Sequence, residues 1–211
     1  MEMEFVLPQD IESRSFEIIK GELSARNIVL PEEQLPVTMR VIHTTADFDY
    51  AGTLMFSRGV IDRAGELLKQ GAHIVTDTNM ALSGINKKAL SRFGGEAHCF
   101  MADEAVAREA KERELTRAYV SMERGAKLGV KTIFAVGNAP TALVSLYELY
   151  RDKGFRPDLV IGVPVGFVNV EAAKELILDS DLDYIVNRGR KGGSNVAAAI
   201  VNALLYMHGG R

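Results

Sequence analysis

The chain has 211 residues, of which 47% are hydrophobic and 25% charged, and its formal net charge at pH 7 is −3. These fractions exclude a disordered chain, a collagen and a coiled coil, and the slightly acidic balance argues against a nucleic-acid-binding protein. The single cysteine, Cys99, cannot form an internal disulfide. Together with an acidic start and no long apolar run, this predicts a cytoplasmic protein. We expect one domain over residues 1–211.

The N-terminal part of the chain favours helices. Ile11, Ile18 and Ile19 share one helical stripe, and Ser15 faces the same side. A separate helical subdomain formed by this part is the alternative to one continuous domain.

Two more helices are predicted before the pattern changes. The first runs over residues 31–43, and Pro36 is expected to kink or split it. The second covers residues 60–69, with Ser57 as its N-cap and Gly71 as its stop.

From here short apolar runs alternate with helices. The runs predicted as strands are 73–76, 97–100, 132–136, 159–163 and 184–186. Most lack polar alternation, which is typical of strands covered by helices on both faces. The helices predicted between and after them are 103–128, 141–150, 170–179 and 194–207. This order predicts an α/β fold, a three-layer α/β/α arrangement with a mostly parallel central sheet and a helical N-terminal segment.

Four of these strands end in polar or glycine-rich turns, at 76–79, 137–141, 162–166 and 187–194. Ligands of open α/β sheets bind at the carboxyl ends of strands, and helix N-termini attract anions. Any strand-to-helix connection needs turn residues, so one such turn alone indicates nothing. The convergence of four turns, the last containing Arg188, Arg190 and Lys191, favours an anion-binding mouth.

Two familiar nucleotide-binding motifs are missing from the sequence. No two glycines are separated by a single residue, which excludes G-x-G-x-x-G, and G-x-x-x-x-G-K-[ST] does not occur either. In the stretch 189–194 the lysine precedes the glycine pair, so it cannot serve as a P-loop lysine. Nicotinamide and ATP chemistry are disfavoured, and a nucleotide-dependent transferase or hydrolase is kept as an alternative.

Among the four histidines, His43 is the candidate for catalysis. Arg40 lies three residues earlier, so the two side chains share a helix face. An imidazole exchanges a proton near neutral pH, and a guanidinium binds carboxylates through paired hydrogen bonds. A chance arginine neighbour is the competing interpretation. We expect His73 and His98 to be structural and His208 to be a solvated surface group.

Metal and nucleophile sites have little support in the sequence. Asp47 and Asp49 follow His43, but acidic turn residues usually contact water, and no second histidine or cysteine lies at ligand spacing. Cys99 is predicted to lie in a strand without a base, and no G-x-S-x-G motif occurs. We therefore predict no metal site.

Six motifs occur in order along nearly the whole chain. They are Ser15-Phe16-x-Ile18-Ile19, Arg40-Val41-Ile42-His43-Thr44, Thr76-Asp77-x-x-Met80, Gly137-Asn138-Ala139-Pro140-Thr141-Ala142-Leu143, Gly162-x-Pro164-Val165-Gly166-Phe167-Val168 and Gly189-Arg190-x-Gly192-Gly193-Ser194. Together they closely resemble the precorrin-8X methylmutases, a family that includes the cobalt-precorrin-8 methylmutases of corrin ring synthesis. One departure is the stretch 169–174, where an Ala-Glu-Ser-Lys type string is expected.

The resemblance implies an isomerase of cobalamin biosynthesis. Members of the family move a methyl group from C11 to C12 of the precorrin macrocycle, which gives hydrogenobyrinic acid or its cobalt counterpart, cobyrinic acid. Because the shift is intramolecular, no methyl donor, redox cofactor or catalytic metal is expected. The implied partners are a tetrapyrrole polycarboxylate substrate and a second copy of the chain, with the site near the interface of a homodimer.

The resemblance also implies roles for individual residues. His43 matches the proton donor and acceptor, Ser15 and Arg40 match positions that contact substrate, and an arginine matching Arg117 lies close by. From the same motifs we expect further substrate contacts by Thr44, Asp77, Asn138, Arg190 and Ser194. A non-catalytic carrier of an anionic tetrapyrrole, which needs the basic groups but no ionisable group against the ring, is the main alternative function.

Overall fold

A computed structural model describes residues 5–209 of the chain. Within this range six strands form one sheet, in the spatial order β1-β6-β5-β4-β2-β3. The strands are β1 Leu54–Phe56, β2 His73–Thr76, β3 Ala97–His98, β4 Thr132–Val136, β5 Leu159–Gly162 and β6 Tyr184–Asn187. Neighbouring strands are parallel except β1 and β6, which pair antiparallel. The predicted mostly parallel sheet is confirmed.

Helices cover both faces of this sheet. In the described part of the chain they are α1 Ile11–Ala25, α2 Leu35–Thr45, α3 Tyr50–Thr53, α4 Val60–Lys69, α5 Asn79–Gly84, α6 Lys87–Ser91, α7 Glu104–Glu112, α8 Arg117–Gly125, α9 Pro140–Lys153, α10 Val170–Leu178 and α11 Ser194–Met207. One core joins α1, α2, α4, α6 and α11 to one face of the sheet, and a second core joins α8, α9 and α10 to the other. None of the helices between residues 5 and 209 combines the length and apolarity needed to cross a bilayer.

The central strand β4 shows why the strands read as continuous apolar runs. All five of its residues are buried. Ile133 and Ala135 pack into the first core, whereas Phe134 and Val136 pack into the second. A strand that helices cover on both faces is apolar at nearly every position. The polar residue of β4, Thr132, satisfies its hydroxyl by donating to the carbonyl oxygen of Val130 at 3.0 Å.

The N-terminal segment is helical, as predicted, but it differs in two details. The predicted start of the second helix at Pro31 is wrong, because α2 begins at Leu35. Pro36 therefore lies in the first turn, where its missing N–H has no helical partner to lose, and it does not kink the helix. The segment also contributes β1 to the sheet, a strand too short for its pattern to reveal.

Two other expectations are corrected by tertiary contacts. Ser57 is not the N-cap of α4, because its hydroxyl accepts the backbone N–H of Tyr184 at 2.9 Å and Gly59 occupies the cap position. The single helix predicted over 103–128 is two helices, α7 and α8. The chain turns at Glu114, whose φ is +54°, and the Thr116 hydroxyl caps α8.

A buried carboxylate links the carboxyl ends of two adjacent strands. Asp77, directly after β2, is fully buried. Its carboxylate accepts three backbone N–H groups from the turn after β4: those of Gly137 and Asn138 at 2.8 Å and that of Ala139 at 2.7 Å. Burial raises the pKa of Asp77, and the three hydrogen bonds oppose this rise. The carboxylate fixes the two turns relative to each other.

Replacing this carboxylate with an amide tests its structural role. Asp77→Asn keeps the shape of the side chain but turns an N–H₂ group toward backbone donors. We expect a loss of about 1–3 kcal/mol in the free energy of unfolding, measured by urea denaturation. Asp179→Asn, which changes an exposed aspartate after α10, is the matched control and should stay within about 0.5 kcal/mol of the wild type. Equal stability of the two variants would contradict this role.

Candidate functional site

A cleft of about 620 Å³ opens between the start of the described chain, α1, α2 and the end of α11. Its walls are formed by Pro8, Ile11, Glu12, Arg40, His43, Asn86 and Tyr206. A second cavity, of about 390 Å³, shares Arg40 and Tyr206 with it and is otherwise lined by apolar side chains of α1, α2 and α11. The two candidates from the Arg-x-x-His pattern therefore meet in one cleft.

His43 lies in the last turn of α2, and the helix is closed by the following residue, Ala46, with a left-handed φ of +53°. The side chain is exposed to the cleft, and its ring packs against Phe16 of α1 with 5.3 Å between the ring centroids. Within residues 5–209 neither ring nitrogen has a hydrogen-bond partner. Both nitrogens are therefore available to a bound molecule.

Arg40 forms the floor between the two cavities. Its side chain is 14% exposed and forms an ion pair with the carboxylate of Glu12. The guanidinium also lies 5.0 Å from the ring centre of Phe16 and 4.9 Å from that of Tyr206, which is within the range of cation–π attraction. Two aromatic rings and one carboxylate thus hold the guanidinium in place.

Sequence reasoning missed four lining residues of the two cavities: Glu12, Phe16, Asn86 and Tyr206. Glu12 and Phe16 are four residues apart on α1, so they share a helix face. That spacing was visible in the sequence, and it gave a signal for a polar and aromatic wall. Tyr206 and Asn86 carried no such signal, because only the packing of α11 and of the loop before α6 brings them to the cleft.

Ser15 and Thr44 lie on the same two helices as the cleft residues. The Ser15 hydroxyl donates to the carbonyl oxygen of Ile11 at 2.8 Å, and the Thr44 hydroxyl donates to that of Arg40 at 3.0 Å. Each hydroxyl oxygen keeps a lone pair for another donor. Both hydroxyls thus donate their protons to the helix backbone, and neither residue is among those that line the two cavities.

The remaining polar groups predicted for the site lie elsewhere in a single chain. Asn138 is exposed at the strand ends, where the Asp77 carboxylate binds its backbone N–H. The hydroxyl of Ser194 is 2.7 Å from that of Thr78 at the start of α11. About 18 Å of helix separates Ser194 from the cleft end of α11. These groups lie at the carboxyl ends of the central strands and not in the cleft that contains His43.

Arg117 is farther still from His43 in one chain. It is the first residue of α8, which packs on the opposite face of the sheet from α2. Its guanidinium is exposed and donates to the carbonyl oxygen of Met101 at 3.4 Å. The structure does not bring Arg117 to the histidine within one chain.

The basic turn after β6 does not present free cations. Arg188 pairs with Glu175 at 3.0 Å, and Arg190 pairs with Glu171 at 2.9 Å while its guanidinium lies over the ring of Phe167. In the free protein carboxylates of α10 occupy both arginines. An anion bound at this turn has to displace them, and the anion-binding mouth stays a prediction.

Lys191, the third cation of this turn, connects it to α2. Its ammonium is 2.6 Å from the carboxylates of both Asp47 and Asp49. These aspartates were expected to contact only water, and that interpretation is wrong. Because they directly follow α2, the ion pairs fix the end of the helix that carries His43.

A buried lysine supports the turn from below. The Lys174 ammonium donates to the carbonyl oxygens of Gly189 at 2.6 Å and of Lys191 at 2.8 Å. Burial lowers the pKa of Lys174 to about 8. Lys174 thus holds the turn by binding the turn's backbone carbonyl oxygens. It belongs to the stretch 169–174, where the sequence departs from the Ala-Glu-Ser-Lys type string expected from the family resemblance.

His208 also differs from its expected role. It is partly buried, its ring lies 3.2 Å from the carbonyl oxygen of Ile61, and a Cβ on Gly65 would meet it at 2.5 Å. Burial lowers the pKa of His208. The residue is a packing group of α4 and α11 and not a solvated one.

Comparisons with known proteins agree with the motifs. The family model described as precorrin-8X methylmutase matches residues 10–207. The chain is 43% identical over 204 residues to a cobalt-precorrin-8 methylmutase of Salmonella typhimurium, with 94% of this chain and 95% of that protein covered. It is 40% identical over 209 residues to the protein of the same name from Leptospira interrogans, with 95% and 94% covered.

A solved structure extends the likeness to three dimensions. The precorrin-8X methyl mutase of Thermus thermophilus superposes with a TM-score of 0.85 at 36% identity, and the alignment covers 94% of this chain and 97% of that one. Sequence identity of this size over nearly the whole length shows that the two proteins are homologous. The chain belongs to the precorrin-8X methylmutase family.

Proposed function

We propose that the chain is an isomerase of cobalamin biosynthesis that moves a methyl group from C11 to C12 of a precorrin-8 macrocycle, with His43 as the acid–base catalyst. Membership of the methylmutase family supports the reaction. One observation carries the assignment of His43: its imidazole faces the 620 Å³ cleft with both nitrogens unpartnered by described residues. No other histidine lines either of the two cavities described above.

The chemistry requires one proton to be given and then recovered. Protonation of a ring nitrogen or an adjacent carbon withdraws electrons from the conjugated ring and weakens the bond between C11 and the methyl group. The methyl group then moves to C12, and loss of the same proton restores the neutral conjugated system. A positioned general acid contributes about 10²–10⁴-fold to such a step, and an imidazole can serve in both directions near neutral pH.

Arg40 supplies the binding charge beside this histidine. The substrate carries many carboxylates, and a guanidinium can bind a carboxylate through paired hydrogen bonds. The rings of Phe16 and Tyr206 hold the Arg40 guanidinium in one orientation for such a contact. Glu12 occupies the guanidinium in the free protein, so a substrate carboxylate competes with it. Binding a peripheral carboxylate of the substrate in this way orients the macrocycle for the methyl shift.

The strand ends provide the second part of the proposal. Arg117, Asn138, Arg190 and Ser194 do not reach the His43 cleft in one chain, yet the family resemblance gives Arg117 a place near substrate. A homodimer with its site at the interface reconciles the two. The exposed apolar side chains after β5 support it, since Val165, Phe167 and Val168 are 46%, 83% and 77% exposed. Large exposed apolar groups in one segment are typical of an interaction surface.

A non-catalytic carrier is the competing function. A carrier needs Arg40 and the apolar walls, but it has no use for an unpartnered imidazole against the ring. The visible spectrum separates the two functions: a carrier shifts the substrate spectrum only up to one equivalent, whereas an enzyme converts an excess. Running the assay with cobalt-containing and metal-free precorrin-8 also shows which substrate form the chain prefers.

Removing the imidazole tests the catalytic assignment. His43→Ala is expected to lower kcat by about 10²–10⁴-fold, since the proton donor is lost, while product binding is retained because Arg40 remains. Turnover is measured by the spectral change from substrate to product, and product binding by fluorescence or absorbance titration. Added imidazole should restore part of the activity of the variant. Normal turnover without imidazole would remove His43 from the mechanism.

Removing the guanidinium tests the binding assignment. Arg40→Ala is expected to weaken product binding by about 2–5 kcal/mol, as for a desolvated charge pair that loses one partner. Glu12→Gln is expected to tighten product binding, because the competing carboxylate is gone. Glu22→Gln removes a charge from the exposed side of the same helix and is the control. An unchanged dissociation constant for Arg40→Ala would place the substrate elsewhere.

A single substitution tests the proposed dimer. Phe167→Ser is expected to shift the chain from dimer to monomer at micromolar concentration in analytical ultracentrifugation, because it removes the most exposed apolar group of the 165–168 segment. Phe5→Ser, at a phenylalanine that is 90% exposed in the N-terminal part, is the matched control. A wild-type chain that sediments as a monomer would contradict the homodimer.

A further inference from the structure

Three side chains with metal-binding atoms share one face at the edge of the sheet. His73 opens β2, and the edge strand β3 pairs with β2 so that His98 lies opposite Val75. Side chains alternate along a strand, so His73 and Val75 point to the same face, and His98 and Glu96 point there too. This is the face covered by α8, α9 and α10, as the burial of Val75 in the second core shows.

The ligand atoms of these residues lie close together. His73 Nδ1 is 2.8 Å from His98 Nε2, and Glu96 Oε2 is 4.0 Å from the same His98 nitrogen. One ligand atom from each residue lies within 4.8 Å of the other two. A tetrahedral zinc ion with Zn–N distances near 2.0–2.1 Å holds its ligand atoms about 3.3 Å apart. The observed distances lie on both sides of this value, so small side-chain rotations suffice to bind an ion.

Backbone hydrogen bonds and a neighbouring ring position the segment that carries Glu96 and His98. The backbone N–H of Ile74 donates to the carbonyl oxygen of Glu96 at 2.8 Å, and the Thr76 hydroxyl donates to that of His98 at 3.2 Å. The ring of Phe100 lies parallel to that of His98, with 6.0 Å between the centroids. A site with fixed ligands loses little conformational entropy on binding.

The charges of the two histidines and of Glu96 also suit a bound cation. Two imidazolium rings cannot share a nitrogen–nitrogen distance of 2.8 Å, so at least one ring nitrogen is an acceptor. The carboxylate of Glu96 supplies the negative charge.

We propose that His73, Glu96 and His98 bind one divalent transition-metal ion of the zinc type. Two imidazoles and one carboxylate form a ligand set used by zinc with a fourth position open to water, and imidazole donors disfavour magnesium and calcium. The ion joins the edge strand β3 to β2, where only two residue pairs hold the strand in register. The site lies on the opposite face of the sheet from α2 and His43 and does not depend on the proposed reaction. The proposal differs from the sequence-based expectation of no metal site, and the titration described next decides between the two.

Zinc titration of the full chain tests the site directly. After treatment with EDTA and its removal, isothermal titration with ZnCl₂ is expected to show one equivalent bound per chain, and the thermal midpoint is expected to rise with Zn²⁺ but not with Mg²⁺. His73→Gln and His98→Gln are each expected to weaken zinc binding by at least roughly tenfold, a loss that even supporting contacts of a metal site produce. Glu96→Gln is expected to weaken it less, because its side chain is exposed.

The matched control removes a histidine from the other face of the sheet. His43→Gln is expected to keep the zinc affinity of the wild type. In case a substitution at the pair unfolds the chain, the nitrogen resonances of the His73 and His98 rings in the wild-type protein provide a second measurement, and both are expected to shift on addition of zinc. Absence of saturable binding, equal binding by His98→Gln, or unshifted ring resonances would leave a hydrogen-bonded histidine pair only and overturn the proposal.

Discussion

The proposed chemistry depends on the burial of one face of α2 against α11 and the sheet. Val37, Val41 and Ile42 are almost completely buried there. In a helix the residues three and four positions apart share a face, so burying this stripe turns Arg40 and His43 toward the cleft. Burying apolar surface stabilises the folded state by about 25 cal/mol per Å². The burial of this stripe therefore determines the direction in which Arg40 and His43 point, although these two residues are not themselves part of the hydrophobic core.

The far end of α2 is fixed by charge. Lys174 holds the backbone of the turn after β6, and Lys191 of that turn pairs with Asp47 and Asp49 directly after the helix. Isolated surface ion pairs contribute little to stability, but here one partner stands on a turn that a buried ammonium supports. These contacts tie the end of α2 that carries His43 to the turn after β6.

The arginine of the cleft and the two arginines of the turn after β6 are all held by carboxylates of the same chain. Arg40 pairs with Glu12, and the arginines after β6 pair with glutamates of α10. A polycarboxylate ligand therefore has to exchange one carboxylate for another, which makes binding depend on geometry more than on net charge. The aromatic contacts of Arg40 hold it inside the cleft, where it is 14% exposed, whereas Arg190 lies over the ring of Phe167 on the surface.

The sequence by itself determined the layered fold, since strands that helices cover on both faces are nearly continuous apolar runs such as 132–136. It also determined the Arg40–His43 pair, because helix periodicity is a local property, and the family, because its motifs are local strings. Only the tertiary structure decided that β1 completes the sheet, that Tyr206 and Glu12 enclose Arg40, and that His73 meets His98. Each of these contacts joins residues far apart in the chain or on different strands, and strand pairing and helix packing set such contacts without leaving a periodic signal.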